Sequence, residues 1–372
     1  MIVVTSCDCG TTERITTEGA VRIGRVNLRQ TAGALIYDWL PFELRLRGFA
    51  RTGQPEPWLT IHNRHESIGV DERGVECHWR FTSDLHIANV FPSTAARLMR
   101  RSLERWPIAM RDAPEPNGVP RVSFIIGHRG TERLPHLLAT LRSIAGQSGV
   151  PFECIVVEQS VVPEIQQLLP RWVRYIHTPL PQPDLPYCRS WSFNVAVPHA
   201  RGSVLVLHDN DMLVPERYAF EALQRIEEGY SFVDLKRFIF YLPEPDTRRV
   251  FVTGRPPGGV PATVVQNLMG GSIVARRDAY DAIGGFDESF VGWGGEDNDF
   301  FDRAAFLGGV NRFAYMPILH LHHPPQPGKL SLSTEAIKRY RMMENVDPGQ
   351  RIARLRALEQ GRMEGPNMEG AP

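Results

Sequence analysis

The chain has no apolar run approaching the roughly 18 residues that a membrane-crossing helix requires. Its first residues, Met1-Ile2-Val3-Val4-Thr5, carry neither the basic stretch nor the long apolar segment of a secretory leader. Cysteine is scarce and odd in number, five in 372 residues. Cys7 and Cys9 are too close together for an ordinary bridge, and no second pair follows at zinc-site spacing. A reduced, cytoplasmic setting is therefore expected. A charge excess is also missing: 42 basic residues balance 42 acidic ones, which leaves no reason to expect a nucleic-acid partner. Arg97, Arg100, Arg101 and Arg105 fall at helical spacing and read as a solvated face.

What is present is an ordinary globular composition, 42% hydrophobic and 23% charged, on a chain long enough for one large domain or two smaller ones. Residues 111–120, with three prolines and a glycine, predict a linker. Before it, residues 1–110 hold short alternating runs such as Val21–Val26 and Val75–Phe81, then a capped helix over Ser93–Leu103. This part is expected to be a small β-rich accessory domain. Its histidines, His62, His65, His78 and His86, are scattered and suggest no site.

After the linker, strands covered on both faces alternate with helices. Val122–Ile126, Glu153–Glu158, Val173–Ile176 and Ser203–His208 are apolar runs of strand length, and Arg133–Ala145 and Trp191–Ala200 have helical periodicity. The fold class predicted is α/β, a Rossmann-like and mostly parallel sheet over residues 121–330. Residues 331–372 are expected to form a helix over Thr334–Asn345 and then a charged, mobile tail. In such sheets ligands bind beyond the carboxyl ends of the strands.

Chemistry concentrates at three places. His208-Asp209-Asn210-Asp211 ends the fourth strand, where two carboxylates one residue apart suit a hard divalent cation that bridges a nucleotide diphosphate; an Asx-rich turn is the plainer alternative. Gly284–Arg303 packs glycines, Trp293 and the acids Glu296, Asp297 and Asp299 into one stretch. Glycines admit a ligand close to the backbone, an indole offers a wall for a sugar ring, and a carboxylate at a helix start can serve as general base. His320, His322 and His323 follow an apolar run, and imidazoles there suit Mn²⁺ beside carboxylates.

Together these motifs resemble the GT-A glycosyltransferases, most closely the β-1,4-galactosyltransferase and chondroitin-polymerase type. The resemblance is carried in order by Gly127-His128-Arg129, Val156–Gln159, Cys188-Arg189-Ser190 with Asn194-Val195-Ala196, Asp209-Asn210-Asp211, and above all Trp293-Gly294-Gly295-Glu296-Asp297. It implies an inverting enzyme that moves Gal or GalNAc from a UDP-sugar to a hydroxyl of a glycan, lipid-linked, peptide or small-molecule acceptor, with Mn²⁺ or Mg²⁺ as cofactor. Arg129, Glu158 and Arg189 would contact uridine or phosphate, and Asp209 the ribose or donor sugar. Trp293 would touch donor phosphate and acceptor, Glu296 would orient sugar hydroxyls, and Asp297 would be the base. Asp211 and His323 would ligate the metal, with His320 in the place of the family's methionine and His322 as a rival. Before Gly270-Gly271, Leu268 stands where the animal enzymes carry Tyr, which implies room for an N-acetyl group. Loops between Tyr241 and Gly259 are expected to close over the donor. A retaining enzyme of the polypeptide GalNAc-transferase kind and a non-catalytic nucleotide-sugar-binding scaffold are the alternatives.

Overall fold

The computed structural model describes residues 3–5, 12–14, 28–44, 65–69, 73–79, 82–115, 118–292, 294–324 and 329–366. The run Val21–Val26, Cys7, Cys9, His62 and Trp293 lie outside them.

Two sheets organise the described chain. The strands are β1 (Ser83–Asp84), β2 (Val122–His128), β3 (Phe152–Ser160), β4 (Arg174–Pro179), β5 (Val204–His208), β6 (Met212–Leu213), β7 (Phe232–Val233), β8 (Lys236–Tyr241), β9 (Thr263–Gln266), β10 (Ser272–Arg276), β11 (Val310–Asn311) and β12 (Met316–His320). The helices that matter here are α1 (Pro92–Arg105), α2 (Leu134–Ala145), α3 (Arg189–Ala196), α4 (Tyr218–Glu227), α5 (Glu244–Thr253), α6 (Glu296–Leu307), α7 (Lys329–Met343) and α8 (Pro348–Ala357). A seven-stranded sheet runs β11-β7-β10-β5-β2-β3-β4, and its β5-β2-β3-β4 block is parallel throughout. A five-stranded sheet runs β6-β12-β8-β9-β1.

The apolar runs become central strands because both faces are covered. Every residue of β2 and β3 is buried. Successive side chains of a strand point to opposite faces, and the core divides accordingly. Phe124, Ile126, Val156 and Val206 pack with Leu137 and Leu141 of α2 and Tyr218 and Ala222 of α4. Ile125, Ile155, Val157 and Leu207 pack on the other side with Trp191 and Phe193 of α3 and Phe300 and Ala304 of α6. This is the predicted mixed α/β layering with a mostly parallel large sheet.

The expected boundary at residues 111–120 is crossed by shared packing. β1 pairs with β9 at the edge of the five-stranded sheet. Leu98 and Met99 of α1 sit in one cluster with Phe238, Phe240, Val264 and Leu319. Val75, at the start of a short strand, bridges to Ala314, and Glu66 forms a buried ion pair with Arg237 at 3.2 Å. Proline content marks a break in regular structure, and the described residues among 111–121 have none, but it does not mark where a core ends. The helix around Ser93–Leu103 is there as α1, while the strand begun at Val75 stops at Cys77.

From Asn345 to residue 366 the described chain is anchored to the rest of the protein, and the remainder of the expected tail lies outside the described residues. Asp347 caps α8 by accepting from Gln350 N at 3.1 Å. Arg351 reaches back to donate to Asp299 Oδ1 at 2.7 Å, while Arg303 donates to Asp299 Oδ2 at 2.9 Å. Arg354 pairs with Asp287, Gly361 N donates to Glu288 at 2.6 Å, and Trp191 Nε1 donates to the Arg362 carbonyl at 2.6 Å. The basic residues of this segment thus neutralise buried acids around the loop that leads into α6. Arg351→Ala removes one of the two guanidinium partners of Asp299 and leaves Arg303 in place, so the loss is that of a charge-assisted hydrogen bond, about 2 kcal/mol. The variant is accordingly expected to lower the urea midpoint at unchanged m-value by an equivalent amount.

Candidate active site and metal centre

The site lies where the chain passes from one sheet to the other. β5 ends at His208 in the seven-stranded sheet, and after only three intervening residues β6 pairs with β12 of the five-stranded sheet. The register sets Met212 opposite His320, and Leu321 N donates to the Asp211 carbonyl at 2.8 Å. Asp211 is thereby held beside the end of β12. One ligand atom each from Asp211, His320 and His323 lies within 4.8 Å of the others. His323 Nε2 is 3.2 Å from Asp211 Oδ2, and His320 Nε2 is 3.7 Å from Oδ1.

These three groups fit a hard divalent cation. His320 stacks on Tyr241 with ring centroids 4.2 Å apart, and burial pushes its pKa down to about 4, so it is a neutral imidazole with a lone pair to give. Burial works against ionisation of Asp211, but the His320 and His323 rings and the Arg133 guanidinium overcome it and hold the carboxyl well below its usual range. One carboxylate and two imidazoles form a mixed oxygen and nitrogen set that suits a divalent metal ion. His322 is exposed; its backbone is used by His136 and Thr247, and its ring takes no part in the cluster.

The second half of the site is built on Arg189, the first residue of α3. Its Nε donates to Asp209 Oδ1 at 2.7 Å and its Nη1 to Asp297 Oδ1 at 2.6 Å, with Glu296 Oε1 at 3.8 Å. The guanidinium lies 4.8 Å from the centre of the Phe193 ring. Burial alone would weaken its charge; Asp209, Asp297 and Glu296 raise its pKa instead. Its Nη2 is buried with no hydrogen-bond partner among the described residues.

Glu296 and Asp297 begin α6. Gly295 precedes them at φ 89°, a left-handed conformation that favours glycine, and Gly294 N donates to Glu296 Oε2 at 2.9 Å. Asp297 Oδ2 lies against Gly270, where a Cβ would collide with it. The Gly270-Gly271 turn is tied to the metal loop through Asp209 N, which donates to the Gly271 carbonyl at 2.8 Å. Leu268 is half-buried and packs against the core at the edge of this turn.

Two predicted contact residues do not join this centre. Arg129 spends its guanidinium on the Gln159 and Leu185 carbonyls and on Gln159 Oε1, at 2.6–3.1 Å. Glu158 is buried and accepts from Ser160, Glu164 N, Ile165 N and Tyr175. Both fix the loops after β2 and β3. The stretch from Tyr241 to Gly259 is for the most part helical, as α5. Arg133, by contrast, had no assigned role and proves central, with Nη1 2.9 Å from Asp211 Oδ2 and Nη2 2.8 Å from His323 Nδ1. Only its place just after the Gly127–Arg129 turn hinted at this.

Burial, then the neighbouring Asp297 charge, raises the Glu296 pKa to about 7. A carboxyl whose pKa is raised by folding favours the native state at low pH and loses that contribution as pH rises to the folded value. The wild type is therefore expected to lose stability relative to Glu296→Gln between about pH 4.5 and about pH 7, with no further change above, as read by urea denaturation across that range.

Residues 262–324 match a family model described as the N-terminal domain of galactosyltransferase. That span supplies the Gly270 turn, Glu296, Asp297 and both clustered histidines. No curated protein matches the chain. Among solved structures, the mannosyltransferase PcManGT from Pyrobaculum calidifontis, in complex with GDP-Man and Mn²⁺, aligns with 72% of this chain and 81% of its own at 17% identity. The TM-score is 0.37, too low a likeness to carry an argument about this chain. Among the described residues no helix is long and apolar enough to cross a membrane. The matched segment is thus similar to part of the galactosyltransferase family, and it contributes Glu296, Asp297, His320 and His323 to the candidate site framed by the two sheets.

Proposed function

We propose that the protein transfers Gal or GalNAc from a UDP-sugar to an acceptor hydroxyl with inversion, with Asp297 as general base. The observation that carries this reading is the shared guanidinium of Arg189, which joins Asp209 after β5 to Asp297 at the start of α6 while Asp211 and the two histidines stand alongside. A nucleotide diphosphate and an acceptor hydroxyl need such an arrangement: a cation site for one and a carboxylate for the other.

Mn²⁺ or Mg²⁺ held by Asp211, His320 and His323 would neutralise charge on the departing nucleotide. Arg189 holds Asp297 by one oxygen and leaves Oδ2 on the side of the Gly270 turn. That free oxygen takes the acceptor proton as the hydroxyl attacks the anomeric carbon. The unpartnered Nη2 of Arg189 offers a donor to a donor-sugar or phosphate oxygen. Glu296, beside Asp297 and carrying a raised pKa, is suited to hydrogen-bond sugar hydroxyls in either protonation state. Leu268, at the rim of the turn, leaves room for an N-acetyl group.

Asp297→Asn is expected to lower transfer by about a thousandfold, within the usual range for loss of a general base, while UDP affinity in Mn²⁺ changes little. A variant that retains substantial turnover would move the base elsewhere, Glu296 first. In a donor screen that reads UDP release and product mass, UDP-GalNAc is expected to be used at least as well as UDP-Gal; a strong preference for UDP-Gal would overturn the pocket reading. Product anomericity by NMR tests inversion.

A further inference from the structure

Arg133 is the cation that the metal cluster already contains. It stands at the start of α2, and its guanidinium spans two of the three clustered groups, Asp211 Oδ2 at 2.9 Å and His323 Nδ1 at 2.8 Å. Both side chains of the ion pair are largely buried, 16% exposed for Arg133 and 10% for Asp211, so the contact is not a screened surface pair. A divalent cation on Asp211 and a guanidinium on the same oxygen repel each other at short range and low dielectric. The two cannot both keep Asp211 as their main partner.

His323 has the hydrogen bonding of a two-state element. Its Nδ1 faces the Arg133 guanidinium at 2.8 Å and the Pro324 carbonyl at 2.9 Å. Arg133 can only donate, so that contact requires a bare Nδ1 and places the ring proton on Nε2, the atom 3.2 Å from Asp211 Oδ2. Nε2 is also the atom that faces the cluster, and ligation there requires the reverse tautomer. In that tautomer Nδ1–H donates to the Pro324 carbonyl and has no lone pair left for Arg133. Each tautomer thus has a partner in place.

We propose that Arg133 is the resident counter-cation of the metal site: it bridges Asp211 and His323 in the metal-free protein, is displaced when a divalent cation binds, and then pairs with the donor diphosphate. The last step rests on the nucleotide-sugar reading above; the first two do not. The displaced guanidinium stays beside the cluster, tethered at the start of α2, where phosphate oxygens bound to the same cation would come within its reach. An arginine fork matches phosphate geometry as well as it matches a carboxylate.

The test is binding rather than turnover. Mn²⁺ is titrated without nucleotide, and UDP is titrated at saturating Mn²⁺, both by calorimetry on the full chain as wild type and as Arg133→Gln. The crossed result is expected: Mn²⁺ binds about tenfold tighter to the variant and UDP about tenfold weaker, each about 1.4 kcal/mol. Unchanged or weaker Mn²⁺ binding by the variant would overturn the counter-cation role. Unchanged UDP binding would overturn the transfer to phosphate. A wild type that binds Mn²⁺ but not UDP sinks the nucleotide-sugar reading and the last step with it, while the Mn²⁺ arm still decides the displacement. A wild type that binds no Mn²⁺ overturns the whole proposal. A second measurement needs no variant: ¹⁵N NMR of the His323 ring should place the proton on Nε2 without metal and on Nδ1 with saturating Mg²⁺. The same tautomer in both states would overturn the switch.

Discussion

The centre of this molecule is one buried guanidinium. Four carboxyl groups, Asp209, Asp211, Glu296 and Asp297, converge from two separate stretches of chain, and such a set repels itself in a dry site. Arg189 makes the convergence tolerable by taking Asp209 on one side and Asp297 on the other. Its cost of burial is met by three acids at once and by the face of Phe193. The competition leaves its mark on the acids. Burial drives Asp209 up to about 6 and Glu296 up to about 7, each against the pull of Arg189, while Asp211 is held low by the groups on the metal side. One neighbourhood therefore holds acids with distinct proton affinities, the condition under which carboxylates take different roles.

The second constraint is the passage from sheet to sheet. Between His208 and Met212 the chain leaves the parallel block and enters the five-stranded sheet, and the pairing of β6 with β12 brings His320 opposite Met212. A shift of one residue in that pairing would turn His320 to the other face and dissolve the cluster. The segments around the site serve this precision. α8 fastens Asp299 and Asp287 behind α6, Arg129 and Glu158 fasten the loops beyond β2 and β3, and Asp209 N is latched to Gly271.

Much of this was legible in the residues. β2, β3 and β5 were readable as buried strands because continuous apolar runs of that length have few other fates, and α2 because its leucines recur at helical spacing. The Asp209–Asp211 pair, the Glu296-Asp297 pair and two of the three histidines were readable because acids and imidazoles after apolar runs fall at strand ends, where parallel sheets place chemistry. Three things were hidden. Arg351 and Arg354 looked like tail charges because a sequence does not show that Asp299 and Asp287 are buried and wait for partners. Residues 111–120 looked like a boundary because proline signals a break in the hydrogen-bond ladder, not the edge of a core. The intramolecular partners of Arg129 and Glu158 were hidden because motif position says which loop a residue lies on, not where its polar atoms are spent.

Sequence by itself determined the layered α/β plan, the chemical class of the site residues and the order in which they occur, since hydrophobic periodicity and residue type are local properties. Only the tertiary structure decided which of them meet. It chose His320 and His323 over His322, because strand pairing and exposure sort three neighbouring imidazoles onto different faces. It brought Arg189 between acids 88 residues apart along the chain, and it set Arg133 on the metal cluster, because hydrogen bonds and ion pairs act over a few ångströms of space whatever the separation in sequence.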